Sequence, residues 1–388
     1  MKDIYTRALE EHKKWKGKIT IDLNAKVESK EDLGLAYTPG VAQPCREIAK
    51  DRELAYEYTW KGNVVAVISD GTAVLGLGDI GPEAALPVME GKAVLFKKFG
   101  GVNAVPVVLN TKDTEEIIQT IKNIAPTYGG INLEDISSPR CVEIERRLID
   151  ELDIPVFHDD QHGTAIVVTA GLINAFKLAK KDPKDVTVIV SGTGAAGFSI
   201  INMMESLGVK NIYAFNRSGV LRKSNMDSYN FVQKEIAEVT NNDDEDLTME
   251  EAMKKADVFI GVSGPNVINS EMVSTMKEKP IIFAMANPEP EISYEDAIKG
   301  GAFVAGTGRS DFPNQVNNVL AFPGLFKGAL KSRATKITDE MKMAAAIGIA
   351  NLIDEKDLKP DFVIPSVFDE RVSDSVANEV MRVAKETE

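Results

Sequence analysis

The sequence predicts an α/β fold with two domains. The chain has 388 residues, and a single hydrophobic core seldom grows beyond about 250–300 residues, so two domains are expected. Short β-branched runs alternate with amphipathic stretches, which is the pattern of βα units that build a parallel sheet. A charged break with a proline, residues 180–186, precedes the strongest β-branched run. We place the boundary near the helix before that break, which gives domains of residues 1–162 and 163–388.

The individual elements follow from the period of the apolar residues. Runs rich in Val and Ile predict strands, because β-branched side chains fit a buried, pleated surface. These runs lie at residues 64–69, 104–109, 154–157, 186–190, 212–215, 258–261, 281–285 and 303–305. Apolar residues at helical spacing predict helices at residues 114–124, 141–151, 165–180, 195–207 and 338–353. Residues 4–15 have the pattern of an amphipathic helix that suits contact with a second copy of the chain.

Composition limits the classes of partner. Hydrophobic residues make up 44% and charged residues 27% of the chain, which is ordinary for a globular protein. The formal net charge of −14 argues against nucleic acid and anionic membrane surfaces. Two cysteines are too few for a disulfide framework, the N-terminus is polar, and the apolar run at residues 165–173 is far shorter than a membrane span of about 20 residues. We therefore expect a cytoplasmic protein with reduced cysteines.

Two loops match Gly-x-Gly-x-x-Gly, and only one suits a dinucleotide. A pyrophosphate needs backbone N–H groups at a helix N-terminus, and a nearby carboxylate repels it. The loop at residues 76–81 contains Asp79, whereas the second loop has only small neutral residues: Gly192, Thr193, Gly194, Ala195, Ala196 and Gly197. The second loop also lies between a β-branched run and an apolar helix. It predicts a Rossmann-type, doubly wound parallel sheet that binds NAD or NADP, with a glycine-rich turn without ligand as the alternative.

The end of the next strand leaves the choice between NAD and NADP open. NAD enzymes usually place Asp or Glu there to hold the ribose hydroxyls, but this chain has Asn216 followed by Arg217. Without the carboxylate a 2′-phosphate is not repelled, and Arg217 is close enough in sequence to attract one. Alternatively, Arg217 stacks on adenine or faces water.

Two adjacent pairs of carboxylates indicate a metal ion. They are Glu134, Asp135, Asp159 and Asp160. The second pair lies between an apolar run and an apolar helix, where carboxylates need a compensating charge. Hard oxygen ligands suit Mg²⁺ or Mn²⁺. Because His158 and His162 flank the second pair, a zinc site with histidine ligands and a plain solvated loop are the alternatives.

Lys92 lies on an apolar helical face. Its neighbours one turn away in each direction are Val88, Met89, Leu95 and Phe96. Lysine is rarely buried unless it is paired, and burial or a nearby cation lowers its pKa, as a general base requires. The alternative is a lysine whose ammonium reaches water along its alkyl stem.

Taken together, these motifs resemble the malic enzyme family. The resemblance covers nearly the whole chain and its order is specific: Tyr37-Thr38-Pro39-Gly40-Val41-Ala42, the loop at residues 76–81, Lys92, the two carboxylate pairs, the loop at residues 192–197, Ala286-Asn287-Pro288 and the segment at residues 315–324. It implies a short microbial form with an N-terminal α/β substrate and metal domain before the Rossmann-type domain. The implied reaction is the oxidative decarboxylation of malate to pyruvate and CO₂ by a homodimer or larger homo-oligomer.

The resemblance also assigns roles to residues. Tyr37 matches the general acid, Lys92 matches the general base, and Glu134, Asp135 and Asp160 match the metal ligands. Asp159 is then an outer partner near Lys92, and the family's amides that bind substrate correspond to Asn287 and Asn318, with Asn287 also expected beside the coenzyme.

One position departs from the family pattern. Longer relatives have an arginine that binds a malate carboxylate where this chain has Ala73, and Arg309 is our candidate for its replacement.

The rival functions are another two-domain dehydrogenase, of the amino-acid or methylene-tetrahydrofolate type, and a dinucleotide-binding protein without turnover. Neither rival requires the carboxylate cluster together with Tyr37 and Lys92.

Overall fold

Two parallel sheets form the framework of the molecule. A computed structural model describes residues 3–74 and 76–387. The strands in these residues are β1 Val64–Ser69, β2 Asn103–Val108, β3 Gly130–Leu133, β4 Val156–His158, β5 Thr187–Ser191, β6 Asn211–Asn216, β7 Gly219–Val220, β8 Val258–Gly261, β9 Ile281–Ala284 and β10 Val304–Thr307. All pairs are parallel except β6 with β7. The predicted α/β class is confirmed.

The first sheet has the order β2-β1-β3-β4. All six residues of β1 are buried, as expected for a central parallel strand covered by helices on both faces. Ile68 is in register with Leu133, and Leu133 is in register with His158. Because these strands end side by side, the residues that follow β3 and β4 emerge at one edge of the sheet.

The second sheet has the order β10-β9-β8-β5-β6-β7. The chain leaves β5 toward β6 on one side and later returns to β8 on the other, so the strand order reverses beside β5. Ser191 is in register with Gly261, and Gly261 with Ala284. Ligands of doubly wound sheets bind at the carboxyl ends of the strands next to such a reversal.

Helices cover both sheets. They are α1 Ile4–Trp15, α2 Lys30–Ala36, α3 Ala42–Lys50, α4 Ala55–Tyr58, α5 Pro82–Leu95, α6 Thr114–Ile124, α7 Arg140–Glu151, α8 Asp159–Ala179, α9 Ala195–Leu207, α10 Phe231–Val239, α11 Met249–Met253, α12 Ser270–Ser274, α13 Tyr294–Lys299, α14 Phe322–Ser332, α15 Asp339–Ala350 and α16 Val372–Thr387. Helix α8 crosses the predicted domain boundary without a break. Phe322 and Phe326 of α14 pack on Phe96, and Phe326 also packs on Phe157 of β4, so the C-terminal helices contact the first sheet.

The predicted strands and helices are confirmed, the two-residue strand β7 was not predicted, and two further differences are informative. Strand β3 was not predicted, because its sequence Gly-Ile-Asn-Leu has a single β-branched residue. Helix α8 starts at Asp159, six residues before the predicted start at 165. The extra turn contains polar residues that do not continue the apolar pattern, and it places Asp159 and Asp160 on the first turn of a helix.

The N-terminal arm, residues 3–37, exposes an unusual amount of apolar surface. Helices α1 and α2 contain no buried residue. Of the 21 large hydrophobic side chains that are exposed in the described residues, 11 lie between Ile4 and Tyr37. The arm is nevertheless fixed to the first domain, because Lys18 donates hydrogen bonds to the Glu90 carboxylate and to the Pro87 carbonyl.

Among the described residues, α8 is long and apolar enough by composition to cross a membrane. However, 72% of its most apolar window is buried inside the structure. This degree of burial is typical of a helix in the core of a globular domain.

Candidate active site

A cleft of about 630 Å³ lies between the carboxyl edges of the two sheets. On the side of the first sheet it is lined by residues after β3 and on α5 and α8: Lys92, Glu134, Asp135, Ser138, Asp160 and Thr164. From the second domain it is lined by residues after β5, β8 and β9, and by a late loop: Ala195, Ala196, Ser263, Ala286, Asn287, Gly308 and Asn318. The fold therefore brings most of the predicted site residues to one place.

Three of the carboxylates are arranged to hold a cation. The side chains of Glu134, Asp135 and Asp160 each offer an oxygen atom, and these atoms lie within 4.8 Å of one another. Asp135 adopts a left-handed backbone conformation with φ of 54°, which Asp tolerates better than most residues. Its backbone N–H donates to Oδ2 of Asp160 at 2.7 Å. All donors are hard oxygen atoms, which fits Mg²⁺ or Mn²⁺.

The electrostatics of the cluster also call for a cation. Burial raises the pKa of Glu134 well above its usual value; Lys92 opposes this shift, while the neighbouring Asp160, Asp159 and Asp135 add to it. Four carboxylates therefore face a single ammonium group in a buried space. Such a set is stable as anions only with more positive charge than Lys92 provides.

Lys92 is buried and paired. Its ammonium lies 2.6 Å from Oδ2 of Asp159 and 2.9 Å from Oε1 of Glu134, and 4.4 Å from the centre of the Phe322 ring. Burial alone would lower the pKa of Lys92, but the two carboxylates outweigh it and raise the pKa above its usual value. The ammonium of Lys92 is thus held by carboxylates at the wall of the cleft rather than extended into bulk water, and its pKa is raised, in contrast to the expected fall.

Asn318 orients Asp159. Its Nδ2 donates to Oδ2 of Asp159 at 2.8 Å, and its Oδ1 accepts a hydrogen bond from the Thr164 hydroxyl at 3.0 Å. Asp159 is fully buried. The amide of Asn318 therefore lines the cleft and also fixes the main partner of Lys92.

The loop at residues 192–197 has the geometry of a dinucleotide site. Gly192 has φ of 111°, and a side chain at Gly197 would collide with the carbonyl oxygen of Gly192. A side chain at Gly194 would meet no atom within 4 Å, so this residue faces open space. Gly194 is also the N-cap of α9 and has no side chain to occupy the free N–H groups there. These groups remain available for a pyrophosphate.

A second cavity of about 490 Å³ adjoins this loop at the end of β6. Asn216, Arg217, Ser218 and Tyr229 contribute to its lining, which contains no carboxylate. Oδ1 of Asn216 accepts the N–H of Ser218 at 2.7 Å. This is the position at which an adenosine ribose lies in a Rossmann-type domain.

The other glycine loop, residues 76–81, forms a turn that leads into α5. Asp79 pairs with Lys112 at 2.5 Å, and Gly81 is the N-cap of α5. The loop at residues 76–81 thus places the carboxylate of Asp79 just before the start of α5, as the comparison of the two glycine motifs predicted.

Two predicted residues lie away from the cleft of their own chain. Tyr37 ends α2 and is 67% exposed. Arg309 forms a bidentate pair with Asp311 at 2.9 and 2.6 Å and lines a separate pocket of about 250 Å³. Ala73 lines the cleft itself. In the described residues, Lys92 is the only lysine or arginine in the lining of the cleft.

Sequence reasoning missed Glu145, which fixes the start of α8. Its buried carboxylate accepts the backbone N–H of His158 at 2.8 Å, Nε2 of Gln161 at 3.1 Å and Nε2 of His162 at 2.9 Å. Burial alone would raise the pKa of Glu145, but its interactions with His162, Lys342 and His158 lower it to about 2. The signal was present in the sequence, because Glu145 lies on the same helical face as Cys141 and Leu148.

Two facing parallel sheets, a free helix N-terminus for a pyrophosphate and a buried lysine among carboxylates define a two-domain, dinucleotide-dependent oxidoreductase. The chain matches the family models for the malic enzyme N-terminal domain over residues 16–149 and for the malic enzyme NAD binding domain over residues 161–385. The chain belongs to the malic enzyme family, and it is an NAD- or NADP-dependent malate dehydrogenase of the oxaloacetate-decarboxylating type.

Individual relatives support this membership over the full length. The chain is 54% identical to a bifunctional malic/malolactic enzyme of Bacillus subtilis, covering 98% of this chain and 93% of the relative. It is 53% identical to an NAD-dependent malic enzyme of Geobacillus stearothermophilus, covering 96% and 77%. The crystal structure of a malic enzyme from Pyrococcus horikoshii superposes with a TM-score of 0.95 at 46% identity, covering 99% and 91%. This assignment replaces the two rival functions, another two-domain dehydrogenase and a dinucleotide-binding protein without turnover.

Proposed function

We propose that this cleft oxidises and decarboxylates malate, with Lys92 as the base for the malate hydroxyl. The observation that carries the proposal is the contact of one buried lysine with both carboxylate pairs, opposite the dinucleotide loop. In its neutral amine form, Lys92 would accept the hydroxyl proton from malate as the hydride leaves C2 for the nicotinamide. Two carboxylates hold its ammonium, so it becomes a better base once Glu134 is engaged elsewhere.

We further propose that Glu134, Asp135 and Asp160 hold Mg²⁺ or Mn²⁺. Three oxygen donors within 4.8 Å and a surplus of buried negative charge support this assignment. When bound, such an ion supplies Lewis-acid stabilisation of the oxygen on C2 while CO₂ leaves. Asp159 is not part of this group of three, and Lys92 and Asn318 both contact its Oδ2.

The coenzyme site supports acceptance of both NAD and NADP. The Gly192, Thr193, Gly194, Ala195, Ala196 and Gly197 backbone binds the pyrophosphate, and Asn287, which lines the same cleft, contacts the nicotinamide and the substrate. Because no carboxylate lines the ribose cavity, a 2′-phosphate meets no repulsion there, and Arg217 lies at its rim. Asn216 has its Oδ1 occupied by Ser218, which leaves its Nδ2 donor for the ribose or its phosphate.

We propose a cytoplasmic homodimer in which the N-terminal arm packs on a second copy. The exposed apolar side chains of the arm support this arrangement, since surfaces of this kind are typical of interfaces. Tyr37 ends the arm and does not line the cleft of its own chain. The partner's Tyr37 then supplies the acid that protonates the enolpyruvate carbon. Arg309 stays our candidate for the malate carboxylate, although its guanidinium must first leave Asp311.

A second activity is favoured by the match to the bifunctional malic/malolactic enzyme, which covers nearly all of both chains. Pyruvate and the reduced coenzyme form in the same cleft as neighbours. Return of the hydride to C2 of pyruvate, with a proton on its oxygen from Lys92, gives lactate and regenerates the oxidised coenzyme. The proton that the acid gave to the enolpyruvate carbon is replaced from water, so the net reaction converts malate and one proton into lactate and CO₂.

The test is an assay with malate and either NAD or NADP, in which NADH or NADPH, pyruvate and lactate are quantified. We expect reduced coenzyme and pyruvate in equal amounts, loss of activity with EDTA, and recovery with Mg²⁺ or Mn²⁺. Lactate from malate with a trace of NAD would support the second activity. No reduced coenzyme with either dinucleotide would overturn the proposal, and full activity in EDTA would overturn its metal site.

A further inference from the structure

A buried carboxylate ties together three strand ends of the second sheet. Glu291 follows β9 by seven residues and is fully buried. Its Oε1 accepts the backbone N–H of Ser263 at 2.6 Å and the Ser263 hydroxyl at 3.2 Å, and its Oε2 accepts the backbone N–H of Ala286 at 3.1 Å. Ser263 comes just after β8 and Ala286 just after β9, so one side chain joins both loops.

The connection extends to the dinucleotide loop. The hydroxyls of Ser263 and Ser191 lie 2.9 Å apart. Because the Ser263 hydroxyl donates to Glu291, the Ser191 hydroxyl is the donor to Ser263. Ser191 is the last residue of β5 and immediately precedes Gly192. Glu291 is thus linked to the ends of the three adjacent strands β5, β8 and β9.

Burying a carboxylate costs free energy, which indicates that the position of Glu291 serves the fold or the site. No lysine or arginine within residues 3–74 and 76–387 forms an ion pair with Glu291, so its charge is held by two N–H groups and one hydroxyl. A buried carboxylate without these donors would be strongly unfavourable. The backbone is adapted to it, since a side chain at Gly261 would lie 2.3 Å from Cδ of Glu291.

The loops that Glu291 holds form one wall of the cleft. Ser263, Ala286 and Asn287 all line it, next to Ala195 and Ala196 of the dinucleotide loop. Coenzymes of doubly wound sheets lie across the carboxyl ends of these strands. Displacing either loop therefore moves the surface on which the nicotinamide half of the coenzyme rests.

We propose that Glu291 is a positioning residue for hydride transfer: its carboxylate sets the distance between the loops after β8 and β9 and so places the nicotinamide against malate. Glu291 does not touch the reactants and acts through Ser263 and Ala286. The turnover assay for this inference rests on the proposed function. The effect on coenzyme binding is measured without malate and does not depend on that function.

Two pairs of variants test it. Glu291→Gln replaces one acceptor with an amide donor that opposes a backbone N–H, and Glu289→Gln is its exposed control two residues away. Gly261→Ala pushes against the carboxylate without altering it, and Gly264→Ala is its control in the same loop, where an added side chain meets no atom within 4 Å. Ser263→Ala removes the hydroxyl's bonds to Ser191 and to Glu291 but keeps the bond from the Ser263 backbone N–H to Glu291, and it serves as the mildest variant.

We expect Glu291→Gln and Gly261→Ala to lower kcat/KM for malate by about 10–100-fold, the effect of a small misplacement of reacting groups. The deuterium isotope effect with malate labelled at C2 should increase, because hydride transfer becomes more rate-limiting. The Kd of NADH, followed by its fluorescence, should rise, whereas Mn²⁺ affinity should not change. Both control variants should behave as the wild type does.

Wild-type values of kcat/KM, isotope effect and NADH affinity in both Glu291→Gln and Gly261→Ala would overturn the inference. If these two variants do not fold, Ser263→Ala decides: an increased isotope effect supports positioning, and an unchanged one assigns Glu291 a purely structural role. Should the wild type fail to oxidise malate, the proposed function fails, and NADH affinity in the same variants still tests the placement of the coenzyme.

Discussion

The contacts of Lys92 predict that its replacement strongly reduces malate oxidation but not coenzyme binding. Lys92→Ala should lower malate oxidation by about 10²–10⁴-fold, the usual contribution of a general base, while NADH binding is retained because the dinucleotide loop lies on the other sheet. The comparison is Lys98→Ala, an exposed lysine near the end of the same helix. Turnover of Lys92→Ala within a few-fold of the Lys98→Ala variant would remove Lys92 from the mechanism.

The carboxylate cluster predicts a loss of metal affinity in Asp160→Asn. The asparagine keeps one oxygen that can accept the Asp135 N–H, so the loop geometry is preserved. The lost charge should weaken Mn²⁺ binding by at least about tenfold, since even outer partners of metal ligands have effects of this size. Titration with Mn²⁺ measures it, with the exposed Asp153→Asn as control. Equal affinities in the two variants would exclude Asp160 as a ligand.

The exposed guanidinium of Arg217 predicts the coenzyme preference. Arg217→Ala should reduce kcat/KM with NADP by about tenfold or more, the value of a hydrogen bond to a charged group, and change NAD little. Lys223→Ala is the control, because Lys223 is an exposed cation nearby in the chain that does not line the ribose cavity. A parallel fall with NAD and NADP would show that Arg217 contacts adenine rather than a phosphate.

At the scale of elements, Asp257 joins the starts of β5 and β8. Its carboxylate accepts Lys181 Nζ at 2.6 Å, the Thr187 N–H at 2.9 Å and Lys277 Nζ at 3.0 Å. Asp257→Asn should destabilise the protein by about 1–3 kcal/mol, because buried donors lose a charged acceptor. Thermal unfolding compares it with Asp185→Asn, which changes an exposed carboxylate two residues before Thr187.

The destabilisation by Asp257→Asn should decrease as the pH falls. Burial alone would raise the pKa of Asp257, but the bonds from Lys181, Thr187 and Lys277 lower it below the unfolded value. The stabilisation is therefore complete above an unfolded pKa near 3.9 and is lost as the pH falls through the lower folded value. The difference in unfolding temperature between wild type and Asp257→Asn should be constant near neutral pH and shrink below about pH 4. A difference that grows on acidification would contradict the assigned pKa direction.

The sequence predicted elements where one physical signal dominated. The β1 and β8 strands consist mostly of β-branched or aromatic residues, and their bounds match the predicted residues 64–69 and 258–261. The β3 strand and the first turn of α8 were missed because their structure depends on tertiary contacts. Strand β3 is held between β1 and β4, and Glu145 holds the start of α8 through His158 and Gln161. These partners are distant along the chain, so the local period of the apolar residues does not identify them.

At the scale of the molecule, the carboxyl edges of two sheets face one cleft. Polar residues that directly follow a strand could be predicted as site residues, because the parallel register places the strand ends at a common edge of the sheet. Examples are Glu134, Asp160 and the loop at residues 192–197. Glu291 was not predictable, because it acts seven residues after its strand and within the interior. Tyr37 and Arg309 remain predictions, since neither lies in the cleft of its own chain.

The exposed arm predicts that two copies share each active site. If the partner's Tyr37 serves the cleft that contains Lys92, Tyr37→Phe and Lys92→Ala chains are each inactive as homodimers but complement each other. A mixed dimer then contains one site with both native residues and one with neither. Co-expression at equal levels gives half mixed dimers, so activity should recover to about a quarter of the wild-type value.

Pairing Lys92→Ala with the double variant Tyr37→Phe/Lys92→Ala is the matched control, because no dimer of these chains contains an intact site. Native mass spectrometry measures the fraction of mixed dimers in each preparation. Tyr37 acting within its own chain would leave every mixed dimer inactive, since each site would then lack either the tyrosine or the lysine. Recovered activity that scales with the mixed fraction therefore separates a shared site from two independent ones, and mixed dimers without activity would refute the shared site.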